Sequence, residues 1–320
     1  MRVHHFLIVP FSIFYITEAY AQGCSDAGVC TAGPIGEVVT STDSGSVSEE
    51  YRHMARLTFS HAIGERGTRI TQLVVEAGIG LTERIGMQVK LPYLQAQGNL
   101  GNNSGIGDPT LTASYLIIKG SQRRMEAILG VKLPVNTANA TADGKPLPMP
   151  YQTSLGTTDL LFGTTYRHRR FSAALAYQMV LKNDNANRFR HALWMDDMDA
   201  LGYFESWDLD RADDAVVRIQ YAVPWKRIVV QPGLLAIQHM GRDVRTEIPD
   251  DQPGMMRLPE RVAVAGSDGL TLNITLDARY RIDDHWAIEA SYGSPVITRS
   301  ERPDGLTRSL VLNFGVRHAF

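Results

Sequence analysis

From about residue 51 to the end, apolar and polar positions alternate with period two. In one segment Thr71, Leu73, Val75, Ala77, Ile79 and Leu81 share a face, opposite Ile70, Gln72, Val74, Glu76 and Gly78. The next places Ile85, Met87, Val89, Leu91 and Tyr93 on one side, with Gly86, Gln88 and Lys90 behind them. The pattern returns at Phe171, Ala173, Leu175, Tyr177, Met179 and Leu181, and again at Leu270, Leu272, Ile274, Leu276, Ala278 and Tyr280. Such alternation predicts strands with one apolar and one polar face. Twelve are expected, near 52–62, 70–82, 85–95, 109–118, 123–135, 157–168, 171–182, 214–224, 227–239, 269–282, 285–296 and 306–320. Their connections alternate: short near 83–84, 119–122, 169–170, 225–226 and 283–284, and mostly long elsewhere, the largest being 136–156, 183–213 and 240–268. Tight turns at one end and long loops at the other predict an all-β, transmembrane antiparallel β-barrel of about twelve strands, with short periplasmic turns and long extracellular loops.

A soluble β-sandwich alternates too. Against it stand strands longer than the usual five or six residues of globular sheets. Aromatics also lie near strand ends on the apolar face (Tyr93, Tyr115, Tyr166, Phe171, Tyr177, Tyr221, Trp225, Tyr280, Trp286 and Tyr292), as interfacial girdles require. The last strand alternates through Leu310, Leu312, Phe314, Val316 and His318 to a terminal Phe320. Phe320 reads as the signal for the outer-membrane barrel assembly machinery, and His318 departs slightly from a further aromatic.

Residues 1–21 open on Arg2, His4 and His5, run apolar from Phe6 to Ile16, and end on Ala19-Tyr20-Ala21, the pattern of a cleaved export signal. Pro10 interrupts the run, and eleven apolar residues are too few to cross a bilayer. Cys24 and Cys30, the only two cysteines, follow in a Ser-, Thr- and Gly-rich lead-in over residues 22–50. In an oxidising periplasm they predict a local disulfide, with a lipid-anchored Cys24 as the other reading. The barrel then spans residues 51–320.

Composition alone suggests a soluble protein: 320 residues, 44% hydrophobic, 21% charged, with a mean hydropathy of −0.15. Alternation changes that meaning, because the average hides one face for lipid and one for a lumen. A net charge of −2, from 32 Lys and Arg against 34 Asp and Glu, gives no basis for binding nucleic acid. The expected surroundings are membrane lipid and lipopolysaccharide.

Seven motifs then occur in order: Leu81-Thr82-Glu83-Arg84-Ile85-Gly86, Lys90-Leu91-Pro92-Tyr93, Gly105-Ile106-Gly107-Asp108-Pro109-Thr110-Leu111, Val131-Lys132-Leu133-Pro134, Leu155-Gly156-Thr157-Thr158-Asp159, Gln231-Pro232-Gly233 and Tyr292-Gly293-Ser294-Pro295-Val296. Over about residues 75–320 this ordered set resembles the outer-membrane transporters linked to the meta-pathway of phenol degradation. The resemblance implies a Gram-negative outer-membrane barrel that admits small, often aromatic or hydrophobic, compounds. Val135-Asn136-Thr137 stands where that family continues with Thr-Gly, and Phe189-Arg190-His191 only loosely echoes its Tyr-Arg-x-Gly-Asp stretch. Both departures fall in outer loops and bear on substrate. Asp108 and Asp159 read first as caps for loop amides.

Alternation turns Arg56, Glu76, Lys90, Glu126, Lys132, Asp159, Arg167, Arg218, Asp277, Arg279, Glu289 and Arg317 inward. So many enclosed charges demand water or pairing, giving a wet channel or an ion-paired filling. Mixed signs favour neutral solutes over ions. In the acidic loop 183–213, Trp194, Phe204 and Trp207 recur with other apolar residues at a spacing that suits a short amphipathic helix at the mouth. That helix would be a lid or first binding surface for a hydrophobic solute. The clustered carboxylates lack the register of a calcium loop. No metal site, cofactor or catalytic motif is read, although a barrel-embedded hydrolase using His61 or His168 beside a wall serine is an alternative. The other alternative is a structural or adhesive barrel with a filled lumen.

Overall fold

The computed structural model describes residues 21–22, 53–248 and 258–320. The expected disulfide pair and most of the leader and lead-in lie outside the described residues. Twelve strands build the wall: β1 (Met54–Ile63), β2 (Arg69–Gly80), β3 (Ile85–Gly98), β4 (Thr110–Lys119), β5 (Arg123–Lys132), β6 (Thr157–His168), β7 (Phe171–Asn183), β8 (Asp214–Tyr221), β9 (Ile228–His239), β10 (Gly269–Arg281), β11 (Trp286–Ile297) and β12 (Leu310–Ala319). Each pairs antiparallel with the next. β12 pairs back onto β1 from Met54↔Ala319 to Ile63↔Leu310. That last pairing turns an open sheet into a barrel without edges, the only form in which strands can cross lipid with their backbone groups paired.

The outward face is an apolar belt. Leu57, Phe59, Leu73, Val75, Leu91, Leu129, Leu175, Leu276 and Phe314 are all exposed on it. Exposed hydrophobics in such number are intelligible only against hydrocarbon, and the barrel belongs in the bacterial outer membrane. Tyr115, Phe171, Tyr221, Trp225, Tyr280 and Trp286 gather at the tight-turn end, with Phe171 opposite Tyr221 in register.

Beyond the wall, Gly101–Ile106 pairs back on β3 and prolongs that hairpin outward. The sequence placed this stretch in a bare loop, because Gly101-Asn102-Asn103-Ser104-Gly105 carries no alternation of hydrophobicity. A smaller hairpin joins Val244–Glu247 to Glu260–Ala263. β12 begins at Leu310, later than expected, because Thr307–Arg308 belongs to a loop drawn inward and pairs with Ala21–Gln22.

The C-terminus closes the seam. The Phe320 amide donates to the His53 carbonyl at 2.9 Å, and its ring stacks on His53 and His318, with centroids 5.8 and 5.4 Å away. His318 in turn lies 4.4 Å from Trp286, so the histidine supplies a ring where an aromatic was expected. Deleting Phe320 is expected to reduce severalfold the heat-modifiable, folded form in the membrane fraction, measured by electrophoretic mobility before and after boiling. Undiminished folding would remove Phe320 from any part in assembly.

Candidate functional site

The inward faces carry charge in ordered rows. Cross-strand register sets Arg317, Arg56, Glu76, Lys90, Thr110, Lys132 and Asp159 side by side across β12, β1, β2, β3, β4, β5 and β6. Adjacent opposite charges on one sheet face attract, and they do so more strongly away from water. Arg56 reaches Glu76 on one side at 3.0 Å and Glu289 on the other at 3.0 Å. Arg279 holds the second oxygen of Glu289 at 2.7 Å. The Arg56–Glu289 bridge crosses β12 at Gly315, which stands opposite both Glu289 and Thr58 and has no side chain to obstruct it.

Further round, Lys132 meets Asp159 at 2.6 Å, the pair being 2% and 0% exposed. Gln178 donates to the same carboxylate at 2.5 Å. Asp159 is therefore a wall ion-pair partner and caps no loop amide among the described residues. Asp108 does cap, accepting from the amides of Val135 at 3.2 Å and Leu155 at 3.0 Å. Burial pushes the Asp108 carboxyl above its ordinary range, against the pull of Lys132. Arg218 pairs with Asp277 at 2.8 Å, and Gln220 donates to Asp277 at 2.6 Å. Arg124, from β5, takes Glu126. Arg167 falls on the same face of β6 as Asp159 and sits opposite Arg124. The inward face is not polar throughout: Ile128, Leu161, Ala176, Val216, Leu235 and Ile237 form an apolar patch across β5–β9.

The extracellular end is closed by the loops. Leu147, Met149 and Tyr151, around the 3-10 turn Met149–Tyr151, are buried with Leu100, Phe189 and Tyr203. Tyr151 and Tyr203 hydroxyls meet at 2.9 Å, and Thr68 completes the chain at 2.9 Å. Burial pushes the Tyr203 phenol far up, so it remains a hydroxyl. Asn187 ties the loops together by donating to the carbonyls of Ala138 at 2.8 Å and Leu147 at 3.0 Å. At Gly305, with φ of +66°, a Cβ would stand 2.5 Å from the Pro150 nitrogen. Only glycine lets loop 298–309 lie so close on loop 133–156.

Under this cap sits a fully buried ionic knot. Asp304 accepts from Arg299 at 2.8 Å and Arg211 at 3.3 Å. Arg211 also holds Asp214. His239 places Nδ1 2.7 Å from Asp214 and Nε2 2.8 Å from Asp243. A carboxylate at each ring nitrogen favours a ring that donates from both. Arg299, Arg211 and His239 thus face Asp304, Asp214 and Asp243. Sequence reasoning missed this knot. Its members lie on strand tips and in loops, where period two gives no orientation.

The mouth loop also differs from expectation. It forms two short 3-10 turns, His191–Leu193 and Met198–Gly202, and no amphipathic helix. Asp197 accepts from the Asp199 amide, local bonding that competes with helix propagation. Trp194 is buried, donating to the Pro146 carbonyl at 2.8 Å. Trp207 lies 4.3 Å from the Arg190 guanidinium and Phe204 5.4 Å from that of Arg302. These aromatics therefore hold the cap together. The loop's most exposed hydrophobics are Met195 and Met198, 84% and 76% exposed, followed by Leu201. The loop's carboxylates are distributed among partners: Asp196 to Lys145, Asp210 to Arg261, and Asp213 to the Val180 amide and Tyr177 hydroxyl. His61 stands 3.5 Å from the Thr71 hydroxyl, and His168 closes β6 at the tight-turn end.

No protein-family model and no curated protein matches the chain. Among solved structures it is similar to the COG4313 outer membrane channel from Pseudomonas putida F1, at a TM-score of 0.57 and 12% identity, covering 88% of this chain and 100% of that one. It is also similar to the NanC porin, at a TM-score of 0.44 and 8% identity over 84% of this chain and 100% of that one. A third likeness is to outer membrane phospholipase A from Escherichia coli, at 0.38 and 10% identity over 92% and 98%. The first shows a common barrel fold; the other two are too distant to bear on the site.

Proposed function

We propose that this barrel is a passive channel for small molecules, closed by its own loops in the conformation described. The observation that carries the proposal is a lumen lined by ion pairs and roofed by packed loops: the wall is built around an interior, and the roof is built of loops rather than strands. Many of the inward charges are held in ion pairs, with cations outnumbering carboxylates on the wall. The apolar patch of Ile128, Leu161, Val216 and Ile237 offers wetting to a hydrophobic solute. That patch supports uptake of small hydrophobic or aromatic compounds, as does the resemblance of the sequence motifs to transporters linked to phenol degradation. Membrane lipid and lipopolysaccharide are the surroundings, with the barrel assembly machinery as the partner in insertion.

The tight cap also favours a second reading, a structural barrel with a filled lumen. Reconstitution separates the two. The channel predicts discrete conductance steps in planar bilayers and solute flux in proteoliposomes. Absence of both across a range of voltages would sink it and leave the filled barrel. Vesicle phospholipid should remain uncleaved in the same preparation; released fatty acid would restore the hydrolase.

A further inference from the structure

A cleft opens in the extracellular end of the wall between the Gly101–Ile106 strand and residues 133–140. That strand pairs with β3 along one edge. Lower down β4 separates β3 from β5, but β4 starts only at Thr110. Above that point no strand among the described residues bridges from Ile106 to Val135. The opening is a cavity of about 490 Å³, with Asn103, Ser104, Asn136, Asn139 and Val135 on its sides and Thr153 among its lining residues. This volume falls within the range of small-ligand sites.

The lining sets the chemistry of an occupant. It contains no charged side chain, although the neighbouring lumen is crowded with ion pairs. Ile106 and Val135, 52% and 42% exposed, supply an apolar flank toward the membrane side. Asn103 uses its amide nitrogen on the Tyr151 carbonyl at 2.9 Å, leaving its oxygen available. The side chains of Ser104 and Asn139 have no hydrogen-bond partner among the described residues. A carboxylate or ammonium would lose hydration here without gaining a counter-charge, whereas a hydroxyl or amide would exchange water for equivalent partners.

Thr153 also lines a second cavity, on the lumen side, with Gln72, Lys90, Lys132 and Gln152. The partition between the two is latched by Asn136, which donates to the Thr153 hydroxyl at 2.9 Å while its carbonyl accepts from Ser154 at 3.0 Å. We infer that the cleft is a side entrance for a small uncharged solute with hydroxyl or amide groups on an apolar frame, passing it to the lumen past Thr153. The inference rests on the channel reading and adds the solute class and its route.

Gly105 offers the test. A Cβ there meets only the Thr153 side chain, at an ordinary 3.7 Å, so Gly105→Leu fills the cleft without forcing the backbone. The full chain in lipid nanodiscs is titrated with benzyl alcohol, and with benzoate as its charged counterpart, by saturation-transfer NMR against empty nanodiscs. Benzyl alcohol should bind the natural chain at least tenfold more tightly than benzoate. Gly105→Leu and Asn139→Leu should each weaken it at least tenfold, with heat-modifiable folding retained. Equal binding by all three proteins, or equal binding of benzoate, overturns the cleft. Binding that responds to both variants in a barrel showing neither conductance nor flux removes the channel reading, and the entrance with it.

Discussion

Asp304→Ala should convert the reconstituted barrel from a mostly closed to a mostly open pore. The Asp304 carboxylate joins the guanidiniums of Arg299 and Arg211, all three groups being shut away from solvent. Removing it leaves two buried guanidiniums short of a shared carboxylate, Arg211 keeping Asp214 and Arg299 keeping Asp243 only at 3.8 Å. Breaking a buried pair in this way costs about 3–5 kcal/mol. If that cost falls on the capped state alone, the balance between closed and open shifts on the order of a hundredfold or more. Single-channel recording reads the shift directly as open probability, and unchanged closure in Asp304→Ala would show that the knot does not hold the cap.

The same carboxylate fixes the response to pH. Burial raises its pKa, but Arg299 and Arg211 outweigh burial and hold it well below the usual carboxylate range. A group depressed in the closed state stabilises that state fully above the ordinary value near 4, and loses its contribution only as pH falls through the lower, closed-state value. Asp304 therefore keeps the cap shut from neutrality through mild acid and yields only in strong acid.

Glu289→Ala should change both stability and selectivity. Glu289 is the shared partner of Arg56 and Arg279 on the inner wall, and its loss leaves both guanidiniums undercompensated, again at about 3–5 kcal/mol. The unboiled, folded band should then disappear at a lower temperature. The lumen also gains one net positive charge, so the reversal potential in a salt gradient should move toward that of the anion. Glu289→Gln separates the two effects, because it removes the same charge but retains the shape and one acceptor. It should reproduce the selectivity shift with a smaller loss of stability. An unchanged reversal potential in both variants would place Glu289 away from the ion path.

The wall was legible because a sheet facing lipid and lumen writes its geometry into the chain two residues at a time. Leu57, Leu73 and Phe314 face out while Arg56, Glu76 and Arg317 face in, as alternation requires. The cap was not legible. Tyr151, Asn187 and Gly305 lie in loops of mixed composition, and what places them is contact with one another across long stretches of chain. Trp194 and Trp207 were picked out by residue type, but their roles depend on Pro146 and Arg190, which no spacing rule connects to them. The cleft was obscured for a related reason: it exists because β4 and β5 end level at Thr110 and Lys132 while β3 runs on to Gly98, a property of relative strand length.

Gly315 has a bearing on how the molecule comes into being. Arg56 stands on the first strand and Glu289 on the eleventh, and they touch over Gly315 on the twelfth. A chain lacking only its last pairing already holds Arg56 against Glu76 and Glu289 against Arg279. Closing the seam joins these two pairs into one row, because Arg56 then reaches Glu289 as well. The final ladder of hydrogen bonds therefore arrives together with an electrostatic link across it.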